Sequence, residues 1–335
     1  MSDRIIPADF VGRALHLAAR RGVDLSPALG AAGLDDAALA DPMNRLSPGQ
    51  VTSFVQATWA LTGDELFGLG PGRVPRGTFR VLCLTLIHSD DLDGAFERMS
   101  EVLQVFPALP SLRIDRGVDT TRLSVVVSAH RHGAYDEYRV LSDFSLILLH
   151  RFAAWLIGRR VRLRSVELPY PQPVPELAAD YDHIFGRPVT FDAAEPALEL
   201  DNSVLTAPVV QTEGSLEEYL RRSPHRLLTE RDYDSSATVQ VRRVLELGMK
   251  GRTAGAEEIA EMLSISVPHL RRLLRGEGTS LGRLREEVLR DAAVAGLQRG
   301  ESVDDLSRRL GFSEPSAFRR AFKRWTGNTP RHFRD

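Results

Sequence analysis

His269, Arg271, Arg272 and Arg275 lie within one short stretch whose apolar residues are Leu270, Leu273 and Leu274. About fifty residues on, Ser316, Arg319, Arg320, Lys323 and Arg324 flank Phe318, Phe322 and Trp325, which recur at i, i+4 and i+7. Cationic side chains on the outer face of a helix suit one chemistry well. A helix fits the DNA major groove, and arginine can pair bidentately with guanine O6 and N7. Other arginines would neutralise phosphates and make affinity fall steeply with salt. One arginine on a helix is ordinarily solvated surface, so the weight rests on the repeated arrangement rather than on any single residue.

That arrangement needs positioning elements, and the sequence supplies them twice. Glu257 to Leu263 reads as a short helix and Ser264-Ile265 as a tight turn. Ser266 then serves as N-cap of a second helix, with Pro268 in the first turn, where a missing N–H costs nothing. In the later unit, Ser302 caps a helix ending at Leu310, Gly311 supplies a left-handed residue, and Ser313-Glu314-Pro315 opens the next helix. Leu281 to Leu297 forms one amphipathic helix between the units, with Leu284, Val288, Ala292 and Ala295 expected inward. Short helix, turn and basic second helix is the helix-turn-helix pattern, and two copies on a rigid connector could enter successive major grooves ~34 Å apart. The candidate DNA contacts are Ser266, Pro268, His269, Arg271, Arg272 and Arg275 in the first recognition helix. In the second they are Ser313, Ser316, Arg319, Arg320, Lys323 and Arg324. Arg308 and Arg309 read as phosphate contacts or plain surface.

Charge distribution supports a division of labour. The 335 residues carry a net charge of −2, but Ser235 to Asp335 holds 19 basic and 13 acidic residues, or +6, and the remainder is −8. A basic C-terminal module beside an acidic one suggests that only the former faces nucleic acid. The basic residues are nearly all arginine, with lysine only at 250 and 323. The apolar share of 43% and charged share of 26% are those of a globular protein. No run reaches the ~18 uninterrupted apolar residues of a membrane span: the best, Phe144 to Gly158, is broken by His150 and Arg151. Asp3, Asp9, Arg13 and Arg20 break up any signal-peptide core. A lone cysteine, Cys83, excludes an internal disulfide framework and suits a reducing cytoplasm.

The N-terminal part mixes helical and strand periods. Phe10, Ala14, Leu17 and Ala18 follow a helical spacing, and Ser47-Pro48 opens a helix carrying Val51, Phe54, Val55 and Trp59. Two more helices hold Phe79 to Ile87 and Leu92 to Phe106. Ser111 to Asp115 and Arg122 to Val127 read as a hairpin, Glu137 to Leu156 as a long helix, and Arg164 to Leu168 as a strand. A helix from Glu176 to Phe185 follows, then short strands at Val189 to Phe191 and Leu198 to Leu200. The expected organisation is a sensing and dimerisation domain over 1–225, a linker over 226–238 and a DNA-binding domain over 239–335.

Other chemistry finds little support. The glycine loop from Gly68 to Gly72 lacks a following Gly-Lys-Ser/Thr and a preceding strand, so it is not a phosphate loop. His130 and His132 share a strand face but lack a third metal ligand, so no metal site is expected. No nucleophile elbow, His-Glu-x-x-His or acid/base pair appears, so no enzyme and no cofactor is expected. Phe79, Cys83, Leu86, Phe96, Met99, Phe106, Tyr138 and Phe144 could line an effector pocket, or be simple core. A ligand there would be small and largely apolar.

The stretch Gly311-Phe312-Ser313-Glu314-Pro315-Ser316-Ala317-Phe318-Arg319-Arg320-Ala321-Phe322-Lys323-Arg324-Trp325-Thr326-Gly327, with Thr329-Pro330 after it, resembles the DNA-binding domain of the AraC/XylS family of bacterial transcription regulators. The resemblance runs from about Val239 to Arg334 and is looser over Ala260 to Leu274, with Leu281 standing where an aromatic is common. It implies base readout chiefly by Pro268, His269, Arg271 and Arg272, and a contact by Arg320. Phe67-Gly68-Leu69-Gly70, the helix with Leu92 and Ala95, Val166-Glu167-Leu168-Pro169 and Ile184-Phe185-Gly186-Arg187-Pro188-Val189-Thr190-Phe191 resemble the branch with an arabinose-binding-like, non-cupin regulatory domain. The implied fold is multidomain, an α+β regulatory domain followed by an all-α domain with two helix-turn-helix units joined by a long helix. The implied function is an activator that works in the cytoplasm as a homodimer on double-stranded promoter DNA, with RNA polymerase and a small-molecule effector as further partners and no membrane involvement. The alternative is a protein-interaction module that docks on another regulator instead of DNA.

Overall fold

The computed structural model describes residues 6–127, 135–225, 236–248, 254–263 and 265–333. The chain divides into two compact units, Met1–Asp234 and Ser235–Asp335, the first α+β and the second all-α. His130 and His132, most of the expected linker, and Ser264 lie outside the described residues.

In the first unit, α1 (Ala8–Arg20), α2 (Ser26–Ala31), α3 (Asp36–Leu39) and α4 (Pro48–Thr62) form a helical subdomain. Two-residue strands, β1 (Ile6–Pro7) and β2 (Arg45–Leu46), tie its ends together antiparallel. The sequence entered α4 as expected: Ser47 Oγ accepts the Gln50 N–H at 3.2 Å while the Gln50 side chain accepts the Ser47 N–H at 3.0 Å, a reciprocal capping box. The glycine-rich loop that follows is organised by a buried carboxylate. Asp64 accepts the N–H groups of Leu66 and Val74 on one oxygen and of Gly68 on the other. Phe67 and Gly68 take left-handed φ values of 57° and 75° to aim those amides inward. The loop therefore already carries its own anion, which is the physical reason it is not a phosphate cradle.

α5 (Thr78–Leu86) and α6 (Leu92–Val105) lead into a four-stranded antiparallel sheet. The strands are β3 (Ser111–Arg116), β4 (Thr120–Val126), β5 (Leu163–Glu167) and β6 (Ala197–Asp201), in the order β3-β4-β6-β5. Pairings such as Leu112 with Val125, Leu123 with Leu198 and Leu198 with Val166 bring inward-facing apolar residues into register. The expected strand at Val189–Phe191 does not form. Thr190 makes an isolated bridge to Glu167: Pro188 offers no N–H for a ladder, and at the left-handed Asp192 (φ 57°) the register is lost, with the Asp192 and Ala193 N–H groups donating to the Tyr170 and Leu168 carbonyls.

α7 (Tyr135–Ile157) is the core helix. It is long and apolar enough to cross a bilayer by length and composition, yet 72% of that window is buried within this fold. Its polar interruptions are accommodated by partners. Asp143 accepts hydrogen bonds from the hydroxyls of Tyr170 and Tyr181 and lies 3.4 Å from Arg13 Nη1. His150, 7% exposed, meets the Val161 carbonyl through Nε2 at 2.9 Å and stacks on Phe185. α8 (Pro175–Phe185) and α9 (Glu213–Arg221) complete the unit.

Among the described residues of the second unit, six α-helices build two small cores. Val241, Val244, Ile259, Leu270, Leu274, Leu284 and Val288 form one, and Ala293, Leu297, Leu306, Leu310, Phe318 and Phe322 the other. The connecting helix, Leu281–Gln298, serves both. Its second half faces inward through Ala293, Gly296 and Leu297, with Ala292 half-buried against the same core as expected; the expectation of Ala295 is corrected, since it is half-buried without joining that core. The shift follows from close packing at Gly296, where an added Cβ would lie 2.5 Å from Leu306 Cδ2. Leu273 is likewise 37% exposed rather than core.

Burial, opposed by the bond to Val161, pushes the His150 pKa down to about 4. Nearby Arg151 and Arg160 push it the same way as burial. The unfolded chain takes up this proton near 6.5 and the folded chain does not, so stability is full above pH 6.5 and falls as pH drops toward 4. The loss should approach about 3 kcal/mol. Urea denaturation of the N-terminal unit across pH 7 to 4 would read it, and His150→Phe should flatten that slope.

Candidate functional site

The first basic helix, Val267–Gly276, begins where the sequence places it. Ser266 Oγ accepts the His269 N–H at 3.3 Å, with Pro268 in the first turn. Leu270 and Leu274 turn into the core, so Arg271, Arg272 and Arg275 must project on the opposite side. All three are exposed, as are Ser266 and Pro268, whereas His269 is half-buried. Among the described residues, none of these three guanidinium groups forms an ion pair or hydrogen bond. At the C-terminal end, Glu277 accepts the N–H groups of Ala237 and Thr238 at 2.8 Å each. This carboxylate thereby caps Ala237–Gly248, the first helix of the unit, and pins the end of the basic helix to it.

The second basic helix, Pro315–Thr326, buries Phe318, Ala321 and Phe322 and half-buries Trp325. Ser313, Ser316, Arg319, Arg320, Lys323 and Arg324 are exposed. Spacings of three and four place Ser316, Arg320 and Lys323 along one stripe. Unlike the first helix, this one has several polar groups engaged by the protein itself. Arg324 pairs with Glu286 of the connecting helix at 2.8 Å. Arg319 lies 4.0 Å from Asp304, and Ser316 donates to Glu314 at 3.0 Å. Arg320 and Lys323 have no such partner among the described residues. In the short helix ahead of it, Arg309 is held bidentately by Glu301 at 2.8 Å on both contacts, and Arg308 by Asp305 at 2.6 Å.

Two adjoining cavities lie among the described residues of the first unit. One, of about 300 Å³, is bordered by Phe79, Met99 and Phe144 of the expected lining, together with Trp59, Leu82, Leu103, Leu148 and Phe152. Cys83, Leu86 and Phe96 instead sit fully buried in the core beyond its wall, and burial pushes the Cys83 thiol well above its usual range. Phe106 and Tyr138 border neither cavity: Phe106 ends α6 and Tyr138 lies in the first turn of α7. The other cavity, of about 210 Å³, lies against Phe10, Val51, Phe54, Phe67 and Ile147, and shares Leu66, Phe144, Leu148 and Pro224 with the first. Helical periodicity identifies inward residues, but only packing decides which of them border a void; Trp59, Leu103 and Leu148 carry no sequence signal of that kind. Among the described residues, no three His, Cys, Asp or Glu side chains group as metal ligands.

Comparison with known proteins gives consistent results for both units. The family described as the arabinose-binding domain of AraC transcription regulators, N-terminal, matches residues 22–209, and a helix-turn-helix domain family matches residues 259–335. The ornithine utilization regulator of Pseudomonas aeruginosa is 25% identical over 99% of this chain and 96% of its own length. The regulator VirS of Mycobacterium tuberculosis is 28% identical over 57% of this chain and 56% of its own. The solved structure of the transcriptional regulator CdpR from Pseudomonas aeruginosa is 19% identical, covers 97% of this chain and 98% of that one, and superimposes with a TM-score of 0.33.

The Ser266 cap fixes the start of the first basic helix. Ser266→Ala should cost about 1 kcal/mol, read as a roughly fivefold loss of amide-exchange protection over Val267–Gly276. Ser266→Asp, which keeps a capping oxygen, should retain the protection.

Proposed function

The chain belongs to the AraC family of transcription regulators, and on that premise we propose that it is an effector-controlled activator reading promoter DNA with both basic helices. It is a DNA-binding transcription regulator and not an enzyme. That membership decides between DNA and a protein partner, which charge distribution alone leaves open.

The observation that carries the proposal is the solvent-facing set Arg271, Arg272 and Arg275, which no carboxylate of the described chain neutralises. An arginine already paired must give up that pair before it can contact a base; these three need not. Arg272 and Arg271 are assigned to base edges and Arg275 to phosphate. Ser266, Pro268 and His269 sit at the groove end of the helix, Pro268 offering only an apolar contact. In the second helix Arg320 is assigned to a base and Lys323 and Arg319 to phosphates, with Ser313 and Ser316 at the helix entrance. Arg324 contributes less, because Glu286 holds it. The connecting helix of 18 residues spans about 27 Å at 1.5 Å per residue, a length suited to presenting two helices to successive major grooves on one face of the duplex.

In this reading residues 1–225 sense and dimerise, 226–238 link, and 239–335 bind DNA in the cytoplasm. The effector is small and apolar and occupies the cavity bordered by Phe79, Met99 and Phe144. Its binding shifts the population between two placements of the DNA-binding domains in a homodimer, and the productive placement recruits RNA polymerase.

Fluorescence anisotropy on the DNA upstream of the protein's own and neighbouring genes tests the assignment. Specific binding should persist in moderate salt with a steep negative slope of log affinity against log salt. Arg272→Ala and Arg320→Ala should each weaken it by about tenfold, and Arg324→Ala by less. Equal affinity for a random duplex, unchanged by Arg272→Ala and Arg320→Ala, would overturn the assignment of these two helices.

A further inference from the structure

We propose that the effector is an apolar monocarboxylate whose acid group is held by Arg76 at the rim of the 300 Å³ cavity. The inference rests on the assignment of that cavity to the effector and adds the chemical class. Its walls are aliphatic and aromatic, with Trp59, Phe79, Leu103, Phe144 and Phe152 around the lumen, so the body of the ligand is hydrophobic. Pockets of this kind take specificity from a few polar groups, and here the charged ones differ in availability.

Glu65 borders the cavity, yet its two carboxylate oxygens already accept the N–H groups of Gly77 at 2.6 Å and Phe79 at 2.8 Å. It is the N-terminal cap of α5 and is committed there, so it is not a receptor for a cationic ligand. Arg80 also reaches the cavity, but donates to Glu217 through Nε at 3.1 Å. Arg76 is exposed at the same rim and, among the described residues, has no carboxylate or carbonyl partner. Its backbone is fixed on both sides: Pro75 bridges to Asp64, and the Gly77 amide is held by Glu65. A guanidinium so placed can hold a carboxylate with two parallel N–H···O bonds while the remainder of the ligand displaces no polar group from the apolar walls.

Isothermal titration of the full-length protein with decanoate, decan-1-ol and decyltrimethylammonium, each below its aggregation threshold, tests the class. Decanoate should bind about tenfold tighter than decan-1-ol, with the gap narrowing as salt is raised. Arg76→Gln should close the gap and leave decan-1-ol unchanged. Leu103→Trp, which fills the lumen, should abolish binding of both. Equal affinity for decanoate and decan-1-ol, a gap that survives Arg76→Gln, or tightest binding of the ammonium would overturn the carboxylate anchor while leaving the cavity as the effector site. Failure of all three probes to bind would overturn the anchor together with the assignment of this cavity.

Discussion

Everything in the N-terminal unit is arranged around a helix that must be buried while carrying polar groups that resist burial. α7 forms the centre of the larger core, and Asp143 sits 3% exposed within it. A carboxylate there is tolerable only if hydrogen-bonded and paired. The partners come from three other elements: Arg13 from α1, Tyr170 from the loop after β5, and Tyr181 from α8. Burial holds the Asp143 carboxyl above its usual range, a shift that Arg13 and the two hydroxyls offset only in part. Arg13 is held in turn by Asp9 at 2.6 Å. This one cluster therefore sets how α1 and α8 dock on α7, and removing a partner would leave a buried charge uncompensated.

The same helix accounts for the cavities. Phe144 and Leu148 stand between them, contributed by the face of α7 adjacent to Asp143. Phe144 meets Phe67 edge-on, and Phe67 stacks on Trp59. The Asp64-organised loop that holds Phe67 in a left-handed conformation is thus coupled by direct packing to the partition between the two spaces. Through Trp59 the same stack of rings reaches α4, so the partition, the loop and α4 pack as one continuous aromatic cluster.

In the DNA-binding unit the governing constraint is the connecting helix. It contributes Leu284 and Val288 to one core and Ala293 and Leu297 to the other. The two helix-turn-helix units therefore cannot reorient independently without breaking one of those cores. The difference between the basic helices follows from what surrounds them. The first presents arginines away from the protein, and the second lies close enough to Glu286 and Asp304 to have part of its charge engaged internally. A helix whose cations are already engaged by carboxylates holds its position well and has less to give to a ligand.

Local chemistry made a large part of this legible in the sequence. The caps at Ser47, Ser266 and Ser302, the apolar stripe of Phe318 and Phe322, and the duplicated helix-turn-helix pattern all depend on residues within a few positions of each other, which helix geometry alone brings into contact. So did the α+β and all-α division, since period and charge both change along the chain. Tertiary structure alone decided the rest. Val189–Phe191 has strand-like residues but forms only the bridge at Thr190, because Pro188 has no N–H to give and the amides of Asp192 and Ala193 bond out of register to Tyr170 and Leu168. Ala295 yields to Gly296, where Leu306 approaches. Cys83, Leu86 and Phe96 are as inward as Phe79 and Met99, yet only the latter pair border a void. The ion pair of Arg324 with Glu286, and the lack of one at Arg272 among the described residues, depend on residues far apart in the chain. Periodicity says which way a side chain faces; what it meets there is set by elements that only the folded chain brings together.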